Sequence, residues 1–228
     1  MTKPESRNPI ELPDVSNVAV GVLGGTGEQG RGLALRLAVS GIRVSIGSRD
    51  ANRASESAAE LGHGVTGLSN EDCASGADVV IIAVPWDGHE KVLTGLRDQL
   101  VGKIVVDCVN PLGFDAGGAF ALSVADGSAA QQAAALLPES MVVGAFHHVS
   151  AVTLLDLTQE TIDTDVMVVG DDRSATDTVQ ALAARIPGMR GIFAGKLRNA
   201  GQVEALTANL ISVNRRYKAH AGLRVTDV

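Results

Sequence analysis

The chain has 228 residues, of which 45% are hydrophobic, and a formal net charge of −7 at pH 7; it can therefore bury the core of one large α/β domain, while its acidic balance disfavours nucleic-acid binding. No apolar run reaches the roughly 18 residues of a membrane-spanning helix, and the first residues, MTKPESRNPIELPD, lack the apolar core of a signal peptide. Two cysteines without a CxxC motif, Cys73 and Cys108, indicate a reduced, cytoplasmic setting without a membrane partner.

Short β-branched runs alternate with amphipathic stretches along most of the chain, after a proline-rich arm predicted over residues 1–16. The predicted strands are 18–23, 43–47, 77–85, 103–109, 141–146, 165–170 and 190–195. The predicted helices are 30–40, 50–62, 89–100 and 174–186, with one or two closing helices over 197–220 and a long loop over 110–128. This alternation predicts an α/β fold, a Rossmann-type, doubly wound and mainly parallel sheet over 17–195, followed by a small helical part, 196–228.

A glycine-rich turn, GGTGEQG at residues 24–30, joins the first strand to the first helix. Gly25, Gly27 and Gly30 have the GxGxxG spacing, which permits a tight turn, close approach of the backbone to phosphate and close packing of the helix. Free N–H groups at the start of such a helix face a pyrophosphate. The context predicts a dinucleotide site, with a plain tight turn as the competing interpretation.

The end of the second strand distinguishes NAD from NADP. NAD enzymes carry an acid there for the ribose 2′-hydroxyl, and Asp50 falls in the plausible window. The register of the strand instead puts Ser48 at its carboxyl end, followed by Arg49, with Arg53 one helical turn further on. A hydroxyl and two guanidinium groups suit a 2′-phosphate, so the sequence predicts NADP(H). The alternative is that both arginines are solvated surface residues.

Other residues give weaker indications of a functional site. Trp86, the only tryptophan, follows the outward-turning Pro85 and is expected to flank the crevice, although a single tryptophan is also common in a core. The histidines show no zinc-ligand spacing, so no metal site is predicted. Asp107 and Cys108 end a predicted strand with no base beside them, and they are interpreted as structural.

Seven blocks of the sequence, in order, resemble the NADPH-dependent reductases of coenzyme F420, also called F420H2:NADP oxidoreductases. The blocks are GGTGEQGRGLALRLA, IGSRDANR, VPWDGH, VVDCVNPL, AFHHVSA, VVGDD and QVEALTANLI. The resemblance implies a Rossmann domain with a small C-terminal helical part, assembled as a homodimer. It also implies reversible hydride transfer between nicotinamide C4 and C5 of a 5-deazaflavin, a reaction that needs neither a nucleophile nor a metal.

The resemblance implies roles for residues of the nucleotide half of the site. The residues that bind the cofactor there are Gly25, Thr26, Gly27, Glu28 and Gln29 in the turn, Ser48, Arg49 and Arg53 at the 2′-phosphate, and Val84, Pro85 and Trp86 beside the nicotinamide. Glu28 and Gln29 stand where the family has asparagine and leucine. An acid near pyrophosphate is unfavourable unless it points to solvent.

For the deazaflavin half, the resemblance places His147 next to the ring, as a hydrogen-bonding group for its oxygen or N1 region, with Val149 and Ala151 against the ring. The competing interpretation is that one histidine of the His147–His148 pair is merely a hydrogen-bonded residue at a strand end. Asn110 opens a loop expected to cover the ring, and Ser150 replaces a proline of the family. Candidates for the anionic tail of the coenzyme, or for a solvated basic face, are Lys196, Arg198, Arg215 and Arg216.

Two other functions remain open at the level of sequence. The first is an NADPH-dependent reductase of a different small acceptor, such as an imine, a keto acid, a flavin or ferric iron. The second is a non-catalytic NADP(H)-sensing module, which would need the phosphate turn and the 2′-phosphate site. Such a module has no need of a second crevice built from Trp86, Asn110 and His147.

Overall fold

The computed structural model describes residues 11–228, so residues 1–10 of the predicted arm lie outside the described residues. The strands within the described part are β1 Ala19–Leu23, β2 Arg43–Ser48, β3 Thr66–Ser69, β4 Val79–Ile82, β5 Ile104–Asp107, β6 Leu112–Asp115, β7 Gly118–Ala121, β8 Met141–Gly144, β9 Thr164–Gly170 and β10 Met189–Gly195. The α-helices are α1 Glu28–Val39, α2 Ala51–Leu61, α3 Asn70–Ser75, α4 His89–Gly95, α5 Arg97–Leu100, α6 Ala129–Leu136, α7 Ala151–Leu155, α8 Arg173–Ala184 and α9 Ala200–Tyr217. No helix of this part is both long and apolar enough to cross a bilayer.

Eight strands form one sheet in the order β10-β9-β8-β5-β4-β1-β2-β3. The six strands from β8 to β3 are parallel, whereas β9 runs antiparallel to β8 and β10 runs parallel to β9. The winding reverses between β1 and β4, and ligands of open α/β sheets bind beyond the carboxyl ends of the strands at such a reversal. The predicted Rossmann-type, mainly parallel sheet is confirmed.

The central strands are apolar along their whole length because both faces of the sheet are covered. Val22 and Ile81 belong to one core, and their neighbours Leu23 and Ile82 belong to the other. Alternate side chains of a strand point to opposite faces, so a strand buried on both faces has an unbroken apolar run. Val15, within the predicted arm 1–16, is buried in the first core.

Several short elements differ from the expectation. The predicted loop 110–128 contains the β6–β7 hairpin, which forms a separate two-stranded antiparallel sheet. The strand β3 and the helices α3, α6 and α7 also escaped prediction. The longest of them is the eight-residue α6, and β3 is the four-residue segment TGLS. Elements this short contain too few residues for a periodic pattern to emerge.

Candidate active site

Two clefts meet beyond the carboxyl ends of β1 and β4. The first has a volume of about 740 Å³ and lies between the glycine-rich turn, the end of β2 and α4. The predicted nucleotide residues that line it are Thr26, Gly27, Glu28, Gln29, Ser48, Arg49, Arg53, Val84 and Pro85. The structure therefore brings the turn, the two arginines and the end of β4 together around one space.

The glycines of the turn allow unusually close backbone packing. Gly25 is buried and does not line the cleft, and a Cβ atom on it would stand 2.5 Å from Cβ of Ile46, while one on Gly30 would stand 2.6 Å from the carbonyl oxygen of Gly24. Gly27, the N-cap residue of α1, has no side chain to cap the helix, whereas the Asp50 carboxylate caps α2. The first-turn N–H groups of α1 are thus left for an anion.

The end of β2 has the register predicted from the sequence. Ser48 is its last residue, and Oδ1 of Asp50 accepts hydrogen bonds from the backbone N–H groups of Asn52 and Arg53 at 3.0 and 3.4 Å. Asp50 is therefore committed to capping α2. Arg49 and Arg53 are exposed, and within residues 11–228 neither of them forms a salt bridge.

Glu28 is the first residue of α1, is exposed and lines both clefts. A carboxylate at a helix N-terminus interacts favourably with the helix dipole, but it repels a second anion bound at the same place. We expect Glu28→Gln to tighten NADPH binding by about two- to fivefold, the effect of removing one like charge near a solvated anion. Fluorescence titration of NADPH measures this change, and Glu90→Gln on the exposed face of α4 is the matched control. Unchanged or weaker binding in Glu28→Gln would show that the carboxylate does not face the phosphates.

The second cleft has a volume of about 530 Å³ and shares one wall with the first, formed by Glu28, Gln29 and the end of β4. The remaining predicted site residues line it: Trp86, Asn110, His147, Val149 and Ala151. Residues that the sequence analysis did not single out complete its lining, chiefly Thr207, Leu210 and Asn214 of α9. Thr207 and Leu210 lie in the block QVEALTANLI, which carries the family resemblance, but the helical pattern there does not show which of its residues face a site.

His147 is buried, and its backbone is held in place from two elements. Its carbonyl oxygen accepts hydrogen bonds from Nδ2 of Asn110 at 2.8 Å and from Oγ1 of Thr207 at 3.1 Å. Among the described residues, neither of its ring nitrogens has a hydrogen-bond partner. Burial lowers the pKa of His147 to about 4, so the imidazole is neutral at pH 7 and can donate one hydrogen bond. The neighbouring His148 differs, because its Nε2 accepts a bond from the N–H of Met167 at 3.3 Å.

A family model and homologues matched along most of the chain name the same family. A family model described as NADP oxidoreductase coenzyme F420-dependent matches residues 19–111. The chain is 39% identical over 221 residues to an F420-dependent NADP reductase of Methanothermobacter thermautotrophicus, with 92% of this chain and 95% of that protein covered. The chain belongs to the F420-dependent NADP reductase family. A homologue from Methanocaldococcus jannaschii with the same name is 38% identical, with 92% and 98% covered.

A solved structure also supports the assignment of this chain to that family. It is described as a putative F420-dependent NADP reductase from an Arthrobacter species, with a TM-score of 0.80 and 28% sequence identity. The alignment covers 92% of this chain and 100% of that chain. The fold therefore agrees with that structure along nearly the whole length of this chain.

The four basic residues considered for an anionic tail are not brought together. Nζ of Lys196 donates to the carbonyl oxygen of Asp171 at 3.0 Å, and neither Lys196 nor Arg198 lines either cleft. Arg215 and Arg216 instead line a third cavity, of about 630 Å³, between the β6–β7 hairpin and α9. Only the second pair is therefore near the active-site region, because Ile211 of α9 lines both this cavity and the second cleft.

Asp107 has a base beside it, contrary to the expectation from the sequence. Nε2 of His89 lies 2.6 Å from Oδ2 of Asp107, and both side chains are fully buried. The interpretation of Cys108 as structural fits its surroundings, since its Sγ donates to the carbonyl oxygen of Ile82 at 3.0 Å. Burial, followed by the charge of Asp107, raises the pKa of this thiol far above its ordinary value.

Glu204 is a second buried acid that the sequence analysis did not single out. Its two carboxylate oxygens accept hydrogen bonds from the N–H groups of Ala129 and Ala130 at 2.9 and 3.1 Å, which caps α6. Burial nevertheless raises the pKa of Glu204 to about 7. The folded state consequently binds a proton more tightly than the unfolded chain does.

The raised pKa of Glu204 predicts a pH dependence of stability. Its contribution is fully present below the unfolded pKa, the ordinary value of 4.5, and is lost as the pH rises through about 7. Burial lowers the pKa values of His147 and His148 to about 4, so their contributions rise over the same interval, and the contribution of Glu204 is read from the difference in unfolding free energy between wild type and Glu204→Gln. We expect this difference to be largest near pH 5, where the amide NH2 group of the variant opposes a backbone N–H, and to shrink as the pH rises through about 7. Urea unfolding of both proteins at several pH values tests this, and a difference that does not depend on pH would contradict it.

Proposed function

We propose that the chain transfers a hydride reversibly between NADP(H) and coenzyme F420, with NADP(H) in the first cleft and the deazaflavin in the second. The observation that carries the proposal is the shared wall: Val84 and Pro85 line both clefts. Because the two clefts adjoin at the end of β4, two flat rings, one in each cleft, would meet there face to face. The names of the homologues, F420-dependent NADP reductases, support the same pair of redox partners.

We assign recognition of NADP(H) to the turn and to the end of β2. The uncapped start of α1 is suited to the pyrophosphate, and Ser48, Arg49 and Arg53 are suited to the 2′-phosphate. Within the described part of the chain no salt bridge occupies either arginine, so no bond would have to break before binding. The end of β4 would then hold the nicotinamide at the shared wall.

We assign the second ring to the space between Trp86, Val149, Ala151 and α9. When both partners are bound, the hydride passes between nicotinamide C4 and deazaflavin C5. The chain's own contribution is to orient the two rings and to exclude water. His147 would donate a hydrogen bond to the deazaflavin once its ring turns toward the cleft, because both ring nitrogens are buried and have no hydrogen-bond partner among the described residues. Asn110 and Thr207 would hold His147 in place for it through its carbonyl oxygen.

The test is NADPH oxidation with different acceptors. We expect added protein to bleach the visible absorption of oxidised F420 in the presence of NADPH, and to leave flavins, ferric complexes and cyclic imines unchanged at equal concentrations. Tight NADPH binding without bleaching of F420 would refute the proposed reaction. Turnover with one of the other acceptors would then identify a different reductase, and no turnover would indicate a sensing module.

We further propose that the protein is a cytoplasmic homodimer. The β6–β7 hairpin packs against α9, and the exposed side chains of Phe114, Phe120 and Tyr217 lie on these two elements. Exposed aromatic side chains of this kind are typical of an interface between chains. Cys73 and Cys108 are free thiols, in keeping with a reducing compartment. Light scattering of the wild-type protein should give twice the mass of one chain, and Phe114→Glu should lower the measured mass to that of one chain. A monomeric wild-type protein would contradict the proposal.

A further inference from the structure

A buried chain of hydrogen bonds lies behind the second cleft. His89 begins α4, Asp107 ends β5, and Gln132 lies in α6. Nε2 of His89 is 2.6 Å from Oδ2 of Asp107, and Nδ1 of His89 is 2.9 Å from Oε1 of Gln132. Neither His89 nor Asp107 lines a cleft. The reaction proposed above uses neither of them directly, so their burial needs another explanation.

The geometry assigns a charge to His89. Both ring nitrogens face oxygen acceptors, and only the doubly protonated imidazolium donates from both. Burial lowers the pKa of His89, but the hydrogen bond and the charge of Asp107 outweigh it, so the pKa lies above its ordinary value. His89 and Asp107 therefore form a buried ion pair, and removal of His89 would leave the carboxylate of Asp107 buried without its counter-charge.

Each end of this ion pair touches one wall of the second cleft. The ring of His89 lies against the ring of Trp86, with 5.5 Å between the ring centroids and 33° between the planes. At the other end, Oδ1 of Asp107 accepts a hydrogen bond from the N–H of Val109 at 3.0 Å. Trp86 and Val109 both line the second cleft. The pair thus connects two walls that come from different elements of the fold.

We propose that His89 and Asp107 are positioning residues for the ring bound in the second cleft, because their ion pair fixes the Trp86 side chain and the backbone at Val109. The identity of that ring as a deazaflavin rests on the proposed function. The positioning itself does not, since it follows from contacts within the chain. Without the pair, Trp86 would lose the ring packed behind it and Val109 would lose the acceptor of its N–H.

Other ionisable groups also face this pair, and they determine its pH dependence. Glu204 of α9 adds a negative charge that favours protonated His89, and it caps the helix that carries Gln132. His147, after β8, feels the charge of Asp107 but is neutral at pH 7. The charges around His89 are therefore those of Asp107 and Glu204, and both favour the imidazolium form.

Trp86 provides a direct probe of the pair, because it is the only tryptophan of the chain and protonated imidazole quenches indole fluorescence. We expect wild-type emission to rise with pH as His89 loses its proton, with a midpoint above the ordinary pKa of histidine. Asp107→Asn can keep the hydrogen bond to Val109 and donate to a neutral His89, so its emission should already be unquenched at pH 7. His63→Asn, in an exposed loop, is the control and should behave as wild type.

The kinetic test uses His89→Gln, which keeps a hydrogen-bond donor but removes the charge and the ring. We expect kcat/KM for the deazaflavin to fall by about 10- to 100-fold, as for a ring displaced from its reactive position. The Kd of NADPH should change by no more than about twofold, since the hydrogen bonds of His89 go to Asp107 and Gln132 and none goes to the glycine-rich turn or the end of β2, where the phosphates would bind. If His89→Gln does not fold because the Asp107 carboxylate is left unpaired, Asp107→Asn, which removes that charge, provides the kinetic and the NADPH-binding measurements in its place.

The two proposals fail in different ways. Wild-type emission that does not depend on pH, or an Asp107→Asn variant with the same transition as wild type, would overturn the ion pair. Unchanged deazaflavin kinetics in His89→Gln, or an equal loss of NADPH binding, would overturn the positioning role. If the wild-type protein does not reduce F420 but shows the fluorescence transition, then the proposed reaction is wrong and the ion pair stands.

Discussion

Arg36→Met should lower the free energy of unfolding by about 3–5 kcal/mol, the scale at which a buried, multiply bonded charge is lost. Arg36 lies in α1 and is only 3% exposed. Its guanidinium donates four hydrogen bonds, at 2.6–2.9 Å, to the carbonyl oxygens of Thr153, Leu154, Asp156 and Gln159. Some of these carbonyl groups belong to the last turn of α7, where no backbone N–H group of the helix is available to donate to them.

The same substitution should affect the second cleft. Helix α7 starts at Ala151, which lines that cleft, and packs so closely on α1 that a Cβ atom on Gly32 would stand 2.6 Å from Cβ of Leu154. Loss of the Arg36 bonds should therefore weaken F420 binding as well as stability. Thermal unfolding should show a midpoint lower by about 10 °C or more.

Arg185→Met is the matched control for Arg36→Met. Arg185 is exposed, and its guanidinium donates to one carbonyl oxygen, that of Ser40, at 2.6 Å. We expect this variant to lose less than about 1 kcal/mol of stability, as is usual for surface positions. Equal stabilities of the two variants would show that the bonds of Arg36 do not hold α7.

Arg49→Ala should weaken NADP(H) binding by about 1–3 kcal/mol, which is roughly 5- to 150-fold in Kd, through loss of a charge-assisted contact to the 2′-phosphate. NAD(H) has a hydroxyl at this position, so its binding should change little. Asp50 cannot restore recognition of that hydroxyl, because its carboxylate caps α2. Titrations with both nucleotides give the ratio of the two effects.

Arg97→Ala, at an exposed position of α5 outside the clefts, is the control for Arg49→Ala. It should leave both nucleotide affinities unchanged. If Arg49→Ala weakened NADPH and NADH equally, the assignment of the 2′-phosphate to the end of β2 would be wrong.

The nucleotide half of the site could be predicted because its signals are local. The turn at 24–30 lies within one strand–helix junction, and the register of β2 places Ser48 and Arg49 at the strand end without any knowledge of distant residues. The apolar runs of β1 and β4 likewise predicted buried parallel strands. In each of these elements, local preference agrees with the final fold.

The second cleft and the buried residues that support it depend on contacts between residues far apart in the sequence. Arg36 stands in the helical pattern LALRLAV as an ordinary polar residue, and it is buried only because carbonyl groups more than 100 positions away surround its guanidinium. His89 and Asp107 are unremarkable until β5 and α4 bring them within 2.6 Å of each other. The antiparallel direction of β9 could not be predicted from the sequence for the same reason. Strand–helix alternation does not show in which direction the next strand runs when the chain re-enters the sheet.

Transfer of isotope from NADPH to F420 tests most directly the claim that the two clefts hold adjoining rings. NADPH carrying deuterium on either face of nicotinamide C4 is incubated with oxidised F420 and the protein in ordinary water. The proposed reaction predicts that one of the two labelled forms passes its deuterium to C5 of the reduced deazaflavin, where mass spectrometry and NMR detect it. Reduced F420 without deuterium from either form would contradict direct transfer between the two clefts.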